Sequence, residues 1–252
     1  MTPILYRNLD AWRGARPIMG GQRIGFVPTM GALHAGHRAL LERARAENDR
    51  VVLSIFVNPT QFNDLADLEK YPQTLAQDLA LAEGLATDVL MPTAQAMYPD
   101  NYRFRATELE LSRELEGAHR PGHFDGVLTV VLKLLNLVQP HRAYFGEKDW
   151  QQLQLVRGMV AALFLPVEIV ACPTVREESG LAMSSRNARL SEQGRAHAAH
   201  FSRILKEAPD AAGAALELKF AGFEVDYVED RAGARLGAVR LEGVRLIDHV
   251  RL

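Results

Sequence analysis

Residues 24–57 read IGFVPTMGALHAGHRALLERARAENDRVVLSIFV, and this stretch carries the strongest fold signal in the chain. A short apolar run at 24–27 leads through a helix-like run at 39–47 to a second apolar run at 51–57. The alternation continues in strand-like and helix-like runs at 75–85, 89–91, 127–138, 143–145, 151–163 and 167–170. Such repetition favours parallel strands joined by crossover helices, so the sequence predicts a layered α/β fold.

The C-terminal part of the chain has a different pattern. A polar, loop-rich stretch lies between about residues 175 and 191 and predicts a domain boundary. Helix-like runs and then strand-like runs follow, at 191–206, 210–219, 223–228 and 244–250. We therefore expect a larger domain at 1–175 and a smaller α+β cap at 176–252.

Composition narrows the class of protein. The 252 residues carry 29 basic and 31 acidic side chains and a net charge of −2, so no global field favours nucleic acid or an anionic membrane. The single cysteine, Cys172, has no partner for an internal disulfide, which fits a reducing compartment. We see no signal peptide and no apolar run near the roughly 20 residues that a bilayer needs. The sequence predicts a soluble, cytoplasmic protein, with residues 127–138 as a buried helix.

The first candidate site lies in GFVPTMGALHAGH, residues 25–37. Gly31 and Gly36 lie at a predicted strand-to-helix turn, where free N–H groups at a helix start favour phosphate oxygens. His34 and His37 are three residues apart, so a helical turn would place both on one side. Two capping or structural histidines are the alternative. Zinc lacks a third ligand nearby, and the absence of GxGxxG disfavours a dinucleotide.

Two further candidates follow predicted strands. SIFVNPTQF, residues 54–62, offers the amides of Asn58 and Gln61 to a small polar substrate, although an Asn-Pro turn explains the pattern too. YFGEKDWQQ, residues 144–152, places Lys148 as a cation for phosphate, with a solvated turn as the alternative. The carboxyl ends of parallel strands gather ligands, so these clusters gain weight together.

The fourth candidate is MSSRN, residues 183–187. Adjacent hydroxyls and a guanidinium make a flexible anion clamp that could fold over phosphates. An ordinary polar loop is the alternative interpretation of this segment.

Six segments together resemble the pantoate–β-alanine ligase family. They are PTMGALHAGH, FVNPTQF, DLEKYPQTL, RPGHFDGVLTVVLKLLNLVQP, FGEKDWQQ and VREESGLAMSSRN, in the family's order and approximate spacing. The resemblance covers about residues 25–191. It implies a Rossmann-like parallel sheet with a C-terminal cap, and a homodimer. It also implies that pantoate is adenylated by ATP with Mg²⁺ and that the pantoyl adenylate is then joined to β-alanine. HAGH alone indicates only the wider nucleotidyltransferase and class I synthetase superfamily.

The resemblance also implies roles for individual residues. The ATP-binding positions are Met30, Gly31, Ala32, Leu33, His34, Ala35, Gly36, His37, Gly146, Glu147, Lys148, Asp149, Val175, Met183, Ser184, Ser185 and Arg186. Of these, the catalytic positions are His34, His37, Lys148, Ser184, Ser185 and Arg186, with His37 as proton donor. The substrate positions are Gln61, Gln152, Asn58, Tyr71 and Arg120. Asp78 is expected to contact magnesium indirectly through the ATP phosphates, and Cys172 is expected to take no part.

The chain departs from the family pattern in three places. Gln73 stands where Arg is usual, His141 stands where Asp is common, and the C-terminal cap is expected to be shorter than usual, which would let water reach an acyl adenylate. Two other functions stay open at this point. One is a nucleotidyltransferase that retains the adenylate in its product, and the other is a nucleotide-binding protein without chemistry.

Overall fold

A computed structural model of the chain describes residues 2–63 and 65–252. The described chain divides into two compact units. The smaller unit holds His34–Gly36, Gly146–Trp150 and Pro173–Leu252, and the other described residues form the larger unit.

The larger unit is built on a six-stranded sheet with the order β1-β4-β3-β2-β5-β6. Every strand pair from β1 to β5 is parallel. The strands are β1 Ile4–Tyr6, β2 Ile24–Thr29, β3 Arg50–Ile55, β4 Asp88–Leu90, β5 Arg142–Gly146 and β6 Glu168–Cys172. The chain builds outward from β2 through β3 to β4 and then returns to the other side of β2 with β5. Such a reversal is where open α/β sheets bind ligands, and three of the four candidate segments follow β2, β3 and β5.

Helices flank this sheet, as the sequence predicts. The longer ones are α1 Leu9–Ala15, α2 Ala35–Glu47, α4 Leu75–Ala82, α7 His123–Val138 and α8 Trp150–Ala162, and the short ones are α3 Leu65–Glu69, α5 Ala94–Met97 and α6 Leu115–His119. The side chains of each strand alternate between two apolar clusters. On β2, Phe26 belongs to one cluster and Val27 to the other, so the sheet is buried on both faces.

The prediction of a buried helix at residues 127–138 is confirmed by α7, in which eleven of sixteen residues are buried. No helix among the described residues has both the length and the apolar character required to cross a membrane. The two single-residue departures have local settings. Gln73 is exposed, and Nδ1 of His141 accepts a hydrogen bond of 3.1 Å from the backbone N–H of Ile24.

The smaller unit has the predicted α+β composition. Helices α9 Glu192–Glu207 and α10 Ala211–Phe220 precede a three-stranded antiparallel sheet of β7 Glu224–Arg231, β8 Ala234–Leu241 and β9 Val244–Arg251. Ser191 and Asp210 cap the two helices with their side-chain oxygens. An apolar cluster that includes Phe201, Leu205 and Val239 forms the core of this unit.

Strands β1 and β8 are absent from the sequence-based prediction. β1 has three residues, too few to show an alternating pattern. β8 lies between two tight turns whose central residues, at 232–233 and 242–243, all have positive φ. This is the two-residue hairpin conformation, but Ala-Gly and Glu-Gly are weaker hairpin signals than Asn-Gly.

Candidate active site

The loop that follows β2 is held by one buried carboxylate. Asp78 of α4 is 2% exposed; its Oδ2 accepts from the N–H of Ala32 at 3.1 Å and its Oδ1 from the N–H of Leu33 at 2.8 Å. The hydroxyl of Thr74 donates to the same Oδ1 at 3.1 Å. Gly31 has a φ of 82°, and a Cβ there would lie 3.0 Å from Oδ2. Both Asp78 oxygens therefore fix the loop, and a magnesium contact stays a prediction.

His34 lies one residue before α2 and belongs to the smaller unit. The N–H of Gly36 donates to its Nδ1 at 3.1 Å, so the neutral ring carries its proton on Nε2. Burial, together with the positive charge of Lys148, lowers the pKa of His34 from 6.5 to about 4. A Cβ on Gly36 would lie 2.8 Å from Cε1 of this ring. At neutral pH His34 is therefore a neutral ring with its proton on Nε2.

His37 lies in the first turn of α2, in the larger unit, and is half-buried. Because His34 precedes the helix, helical spacing alone does not relate the two side chains. The predicted role of His37 as proton donor stays a prediction.

The NPTQ segment after β3 carries an amide side chain whose donors and acceptor are all hydrogen-bonded. Asn58 is 1% exposed, and its Nδ2 donates to Oε1 of Gln61 at 3.0 Å and to the carbonyl of Gly126 at 3.2 Å. Its Oδ1 accepts from the hydroxyls of Tyr98 at 2.6 Å and Thr60 at 3.0 Å. Asn58 therefore orients Gln61, whose Oε1 is engaged and whose Nε2 amide end contacts the sulfur of Met30 at 3.2 Å.

The start of α7 holds the same segment from the other direction. One ring nitrogen of His123, Nδ1, lies 2.8 Å from the carbonyl oxygen of Gln61, and Nη2 of Arg120 donates to that oxygen at 3.3 Å. A carbonyl oxygen only accepts, so Nδ1 carries the proton, and Nε2 accepts from Arg120 at 3.0 Å. A Cβ on Gly126 would lie 2.4 Å from the carbonyl oxygen of Thr60, so glycine permits the close approach of α7. We call Asn58, Gln61, Tyr98, Arg120 and His123 the amide cluster.

The two adjacent glutamines of α8 have different settings. Gln151 is 4% exposed; its Oε1 accepts from the N–H of Glu116, and its Nε2 donates to the carbonyls of Leu111 and Glu114. Gln152 is half-buried. Gln151 therefore has a structural role, and Gln152 stays the predicted substrate contact. Tyr71, another predicted contact, packs edge-to-face on Phe62 with ring centroids 5.8 Å apart.

Residues 175–183, within the stretch that the sequence predicts to be loop-rich, form a tight hairpin. The N–H of Met183 donates to the carbonyl of Val175 at 2.9 Å, and the N–H of Glu177 donates to the carbonyl of Leu181 at 2.8 Å. The segment Ser185–Arg189 follows as a 3-10 turn, capped by Ser184, whose Oγ accepts from the N–H of Arg186 at 3.2 Å. The Ser184 hydroxyl proton is thus still available to donate.

The smaller unit brings three of the predicted residues together around one cavity. Lys148, Ser184 and Arg186 line it, and the same wall includes Asn187, Arg245 and Asp248. We call this site the cationic cavity. The Lys148 side chain is 16% exposed, and its Nζ lies 4.0 Å from Oδ2 of Asp149, while Glu147 pairs with Arg251 at 2.7 Å. Lys148, Arg186 and Arg245 bring positive charge to this cavity, while Asp248 lies on the same wall and Arg245 pairs with Asp226 at 2.6 Å. The cavity is small, about 10 Å³, so it marks where these side chains meet and has no room for a phosphate group inside it.

Sequence reasoning missed Tyr98, His123 and Gly126 of the larger unit and Arg245 of the smaller one. Gly126 directly precedes the apolar run that the sequence predicts as a helix at 127–138, and this glycine was the one available signal, since a glycine in such a pattern often marks close backbone packing. Across the described part of the chain, no group of three or more His, Cys, Asp or Glu side chains is placed to hold a metal ion.

Comparisons with known proteins agree over the whole chain. Residues 5–251 match the family model described as pantoate-beta-alanine ligase. A pantothenate synthetase of Bdellovibrio bacteriovorus is 58% identical over 255 residues, covering 100% of both chains. A pantothenate synthetase of Coxiella burnetii is 51% identical and covers 99% of this chain and 97% of its own. The C-terminal unit is therefore not shortened relative to these two proteins.

Solved structures give the same result. A pantoate-beta-alanine ligase from Francisella tularensis, complexed with beta-gamma ATP and beta-alanine, has a TM-score of 0.93 at 39% identity and covers 99% of this chain and 97% of its own. A pantothenate synthetase from Thermus thermophilus has a TM-score of 0.89 at 43% identity, with 98% and 99% covered.

Proposed function

The chain belongs to the pantoate-β-alanine ligase family, and we propose that side chains of the cationic cavity and of the amide cluster bind its two kinds of substrate. The activity is the ATP-dependent joining of (R)-pantoate and β-alanine through a pantoyl adenylate. A pantoate carboxylate oxygen bonds to the α-phosphorus of ATP, and pyrophosphate leaves. The amine of β-alanine then bonds to the acyl carbon, loses a proton, and AMP leaves.

The cationic cavity is the observation that supports the assignment of the ATP phosphates. Lys148 and Arg186 neutralise charge that otherwise repels the attacking carboxylate, and the Ser184 hydroxyl donates to a phosphate oxygen. His34 donates from Nε2 without adding a charge, because its ring is neutral. Ser185 follows directly in the same 3-10 turn, and His37 is assigned proton donation by the family resemblance alone.

The family resemblance assigns further residues to the nucleotide. The assigned ATP segments are Met30, Gly31, Ala32, Leu33, Ala35, Gly36, Gly146, Glu147, Asp149, Val175 and Met183. Mg²⁺ enters with ATP as part of the substrate, which fits its preference for phosphate and water ligands over a dedicated protein cage. The family resemblance assigns Asp78 an indirect contact with that ion, and both of its oxygens also accept hydrogen bonds from the loop.

Gln61 and Gln152 bind pantoate, and Gln61 also borders the β-alanine site. Amides orient a hydroxyl and a carboxylate without forming an ion pair that would hold the substrate in its ground state. Asn58 and Arg120 act through Gln61, because their contacts are with its amide and its carbonyl. Tyr71 is assigned to the site by the family resemblance.

No covalent nucleophile is needed, since the adenylate is itself the activated species. Cys172 is 3% exposed, with its sulfur 3.9 Å from Nη1 of Arg43, and takes no part. A cytoplasmic location fits this reduced cysteine. A homodimer is also proposed, from the family resemblance, and light scattering of the purified protein tests it.

A pyrophosphate-release assay tests the assignment. ATP and pantoate together should release pyrophosphate, and β-alanine should be required for sustained turnover and for AMP release. His37→Ala should lower the adenylation rate by about 10²–10⁴-fold if His37 is the proton donor. A product that retains the adenylate would indicate a nucleotidyltransferase instead, and ATP binding without pyrophosphate release would indicate a protein without chemistry.

A further inference from the structure

One guanidinium joins three elements of the smaller unit. Arg176, in the hairpin 175–183, donates through Nη1 to the carbonyl of Gly180 at 3.1 Å and to the hydroxyl of Ser202 on α9 at 2.8 Å. Its two terminal nitrogens also donate to both carboxylate oxygens of Asp248 on β9, at 2.7 and 3.0 Å. Nη2 reaches the carbonyl of His249 at 3.0 Å as well.

Asp248 is fully used by this arrangement. Its side chain is 1% exposed, and besides the two bonds from Arg176 it accepts from the hydroxyl of Ser202 and from the N–H of His249. A buried carboxylate is costly unless it is paired and hydrogen-bonded. Replacing a buried ion pair by apolar side chains is often neutral for stability. Stability alone therefore does not explain why Arg176 and Asp248 are present.

The position of the hairpin supplies that reason. Ser184 directly follows residue 183, where the hairpin closes by hydrogen bonding to Val175. A second contact braces the turn beyond it. Nδ2 of Asn187 donates to Glu177 at 2.8 Å and to the carbonyl of Ala182 at 3.0 Å, and Arg195 holds the other Glu177 oxygen at 2.9 Å. Ser184 and Arg186 therefore lie between two sets of hydrogen bonds, those of Arg176 and those of Asn187. Asp248 also lines the cationic cavity.

We infer that Arg176 and Asp248 are positioning residues for the ATP phosphates. Their two-point pair ties the hairpin to β9 and α9, so that Ser184 and Arg186 are already placed when ATP arrives. A preorganised site does not spend binding energy on ordering its own donors. This inference rests on the proposed binding of phosphates by Ser184 and Arg186.

Asp248→Asn tests it, because the amide keeps the shape of the side chain and removes the charge that holds Arg176. We expect the KM for ATP in pyrophosphate release to rise about tenfold, since small displacements of binding groups are expensive. The KM for pantoate should change by less than about twofold. Calorimetry with ATP alone should show the same weakening without any turnover.

The matched control is Asp230→Asn. Asp230 receives a similar two-point pair from Arg235, at 2.7 and 3.0 Å, within the same antiparallel sheet, and neither residue lines the cationic cavity. The control variant should lose stability and keep the wild-type KM for ATP. Equal ATP affinity in the two variants, or equal losses for ATP and pantoate in Asp248→Asn, would overturn the inference.

Two milder variants keep the test decisive if Asp248→Asn does not fold. Ser202→Ala removes one donor from Asp248, and Arg176→Lys keeps the charge but loses the planar two-point contact. Both should raise the KM for ATP selectively, and an unchanged KM in both would contradict the inference. Failure of the proposed function is recognised separately, because the wild-type protein would then release no pyrophosphate.

Discussion

The amide cluster and the cationic cavity position their side chains by different means. In the amide cluster, short hydrogen bonds connect Asn58, Gln61 and Tyr98, and the polar atoms of Asn58 are all satisfied internally. In the cationic cavity, Lys148 lies 4.0 Å from the carboxylate of Asp149, which is itself half-exposed. One region is fixed by mutual hydrogen bonding in which all groups except Arg120 are neutral, and the other gathers positive charge on backbone that is held by hydrogen bonds.

This difference follows from the chemistry of the substrates. Pantoate presents a hydroxyl and a single carboxylate, which neutral donors recognise through geometry, so their positions must be accurate. A triphosphate carries several negative charges, and attraction to a cation falls slowly with distance. Mutations of Lys148 or Arg186 should therefore lower activity with little effect on stability, whereas mutations in the amide cluster should lower both.

Lys148→Met should have the largest effect. Removing this charge should lower kcat for pyrophosphate release by about 10²–10³-fold, the range found for the loss of one preorganised electrostatic donor. The melting temperature should stay close to that of the wild type, because its ion pair with Asp149 is long and partly exposed. Lys206→Met, on the exposed surface of α9, is the control. A loss below tenfold would remove Lys148 from the phosphate site.

Gly126→Ala should come next. The added Cβ would lie 2.4 Å from the carbonyl oxygen of Thr60 and 2.7 Å from the nitrogen of Gln61, and these are backbone atoms that move only with the segment. We expect about a 10²-fold loss of kcat/KM for pantoate, together with a lower melting temperature.

Gly158→Ala is the matched control for this variant, because Gly158 is also helical and a Cβ there meets nothing within 4 Å. It should gain about 0.5–1 kcal/mol of unfolding free energy and keep full activity. Equal behaviour of the two variants, measured by thermal unfolding and by turnover, would contradict the close approach of α7.

Local sequence patterns predicted most of the fold, and they singled out Lys148 and Arg186, two of the three cations of the cavity. The alternation of apolar runs was sufficient for β2, β3 and α2, since periodicity is a property of neighbouring residues. The glycine-containing turn and the MSSRN segment likewise contain their chemistry within a few residues.

Two members of the amide cluster, Tyr98 and His123, were invisible to this reasoning. Tyr98 bonds to Asn58 across 40 positions, and His123 bonds to Gln61 across 62. No local pattern records such pairings, because tertiary packing alone brings these residues together. The same limit hid the loop contacts of Asp78, which accepts from backbone N–H groups 45 and 46 residues away, while its indirect magnesium contact stays a prediction.

Tyr98→Phe should have a smaller effect, confined to the amide cluster. Losing the hydroxyl leaves Oδ1 of Asn58 without its 2.6 Å donor, so the orientation of Gln61 is less well fixed. We expect the KM for pantoate to rise about tenfold and the KM for ATP to stay unchanged.

Tyr144→Phe is a close control for Tyr98→Phe. Its hydroxyl also bonds an asparagine, Asn48 at 2.7 Å, and burial raises the pKa of both tyrosines to about 12. Tyr144 has no link to Gln61 among these contacts, so its variant should lose stability and keep both KM values. Steady-state kinetics on the two variants make the comparison. A similar rise in the KM for pantoate in both variants would show that the effect comes from general destabilisation.

The smallest expected effect is a shift in the titration of His34. By NMR its ring should titrate near pH 4 in the free protein, because burial and then the charge of Lys148 disfavour the imidazolium. The unfolded chain binds this proton near pH 6.5, so His34 makes the unfolding free energy fall as the pH drops from 6.5 towards 4. Lys148→Met should raise the midpoint while leaving it below 6.5, since burial is the larger cause, and Lys206→Met should leave it in place. A wild-type midpoint near 6.5 would mean that His34 is readily protonated in the folded protein and is not a purely neutral donor. His34 would then have to be counted among the charged phosphate-binding groups in the comparison with the amide cluster.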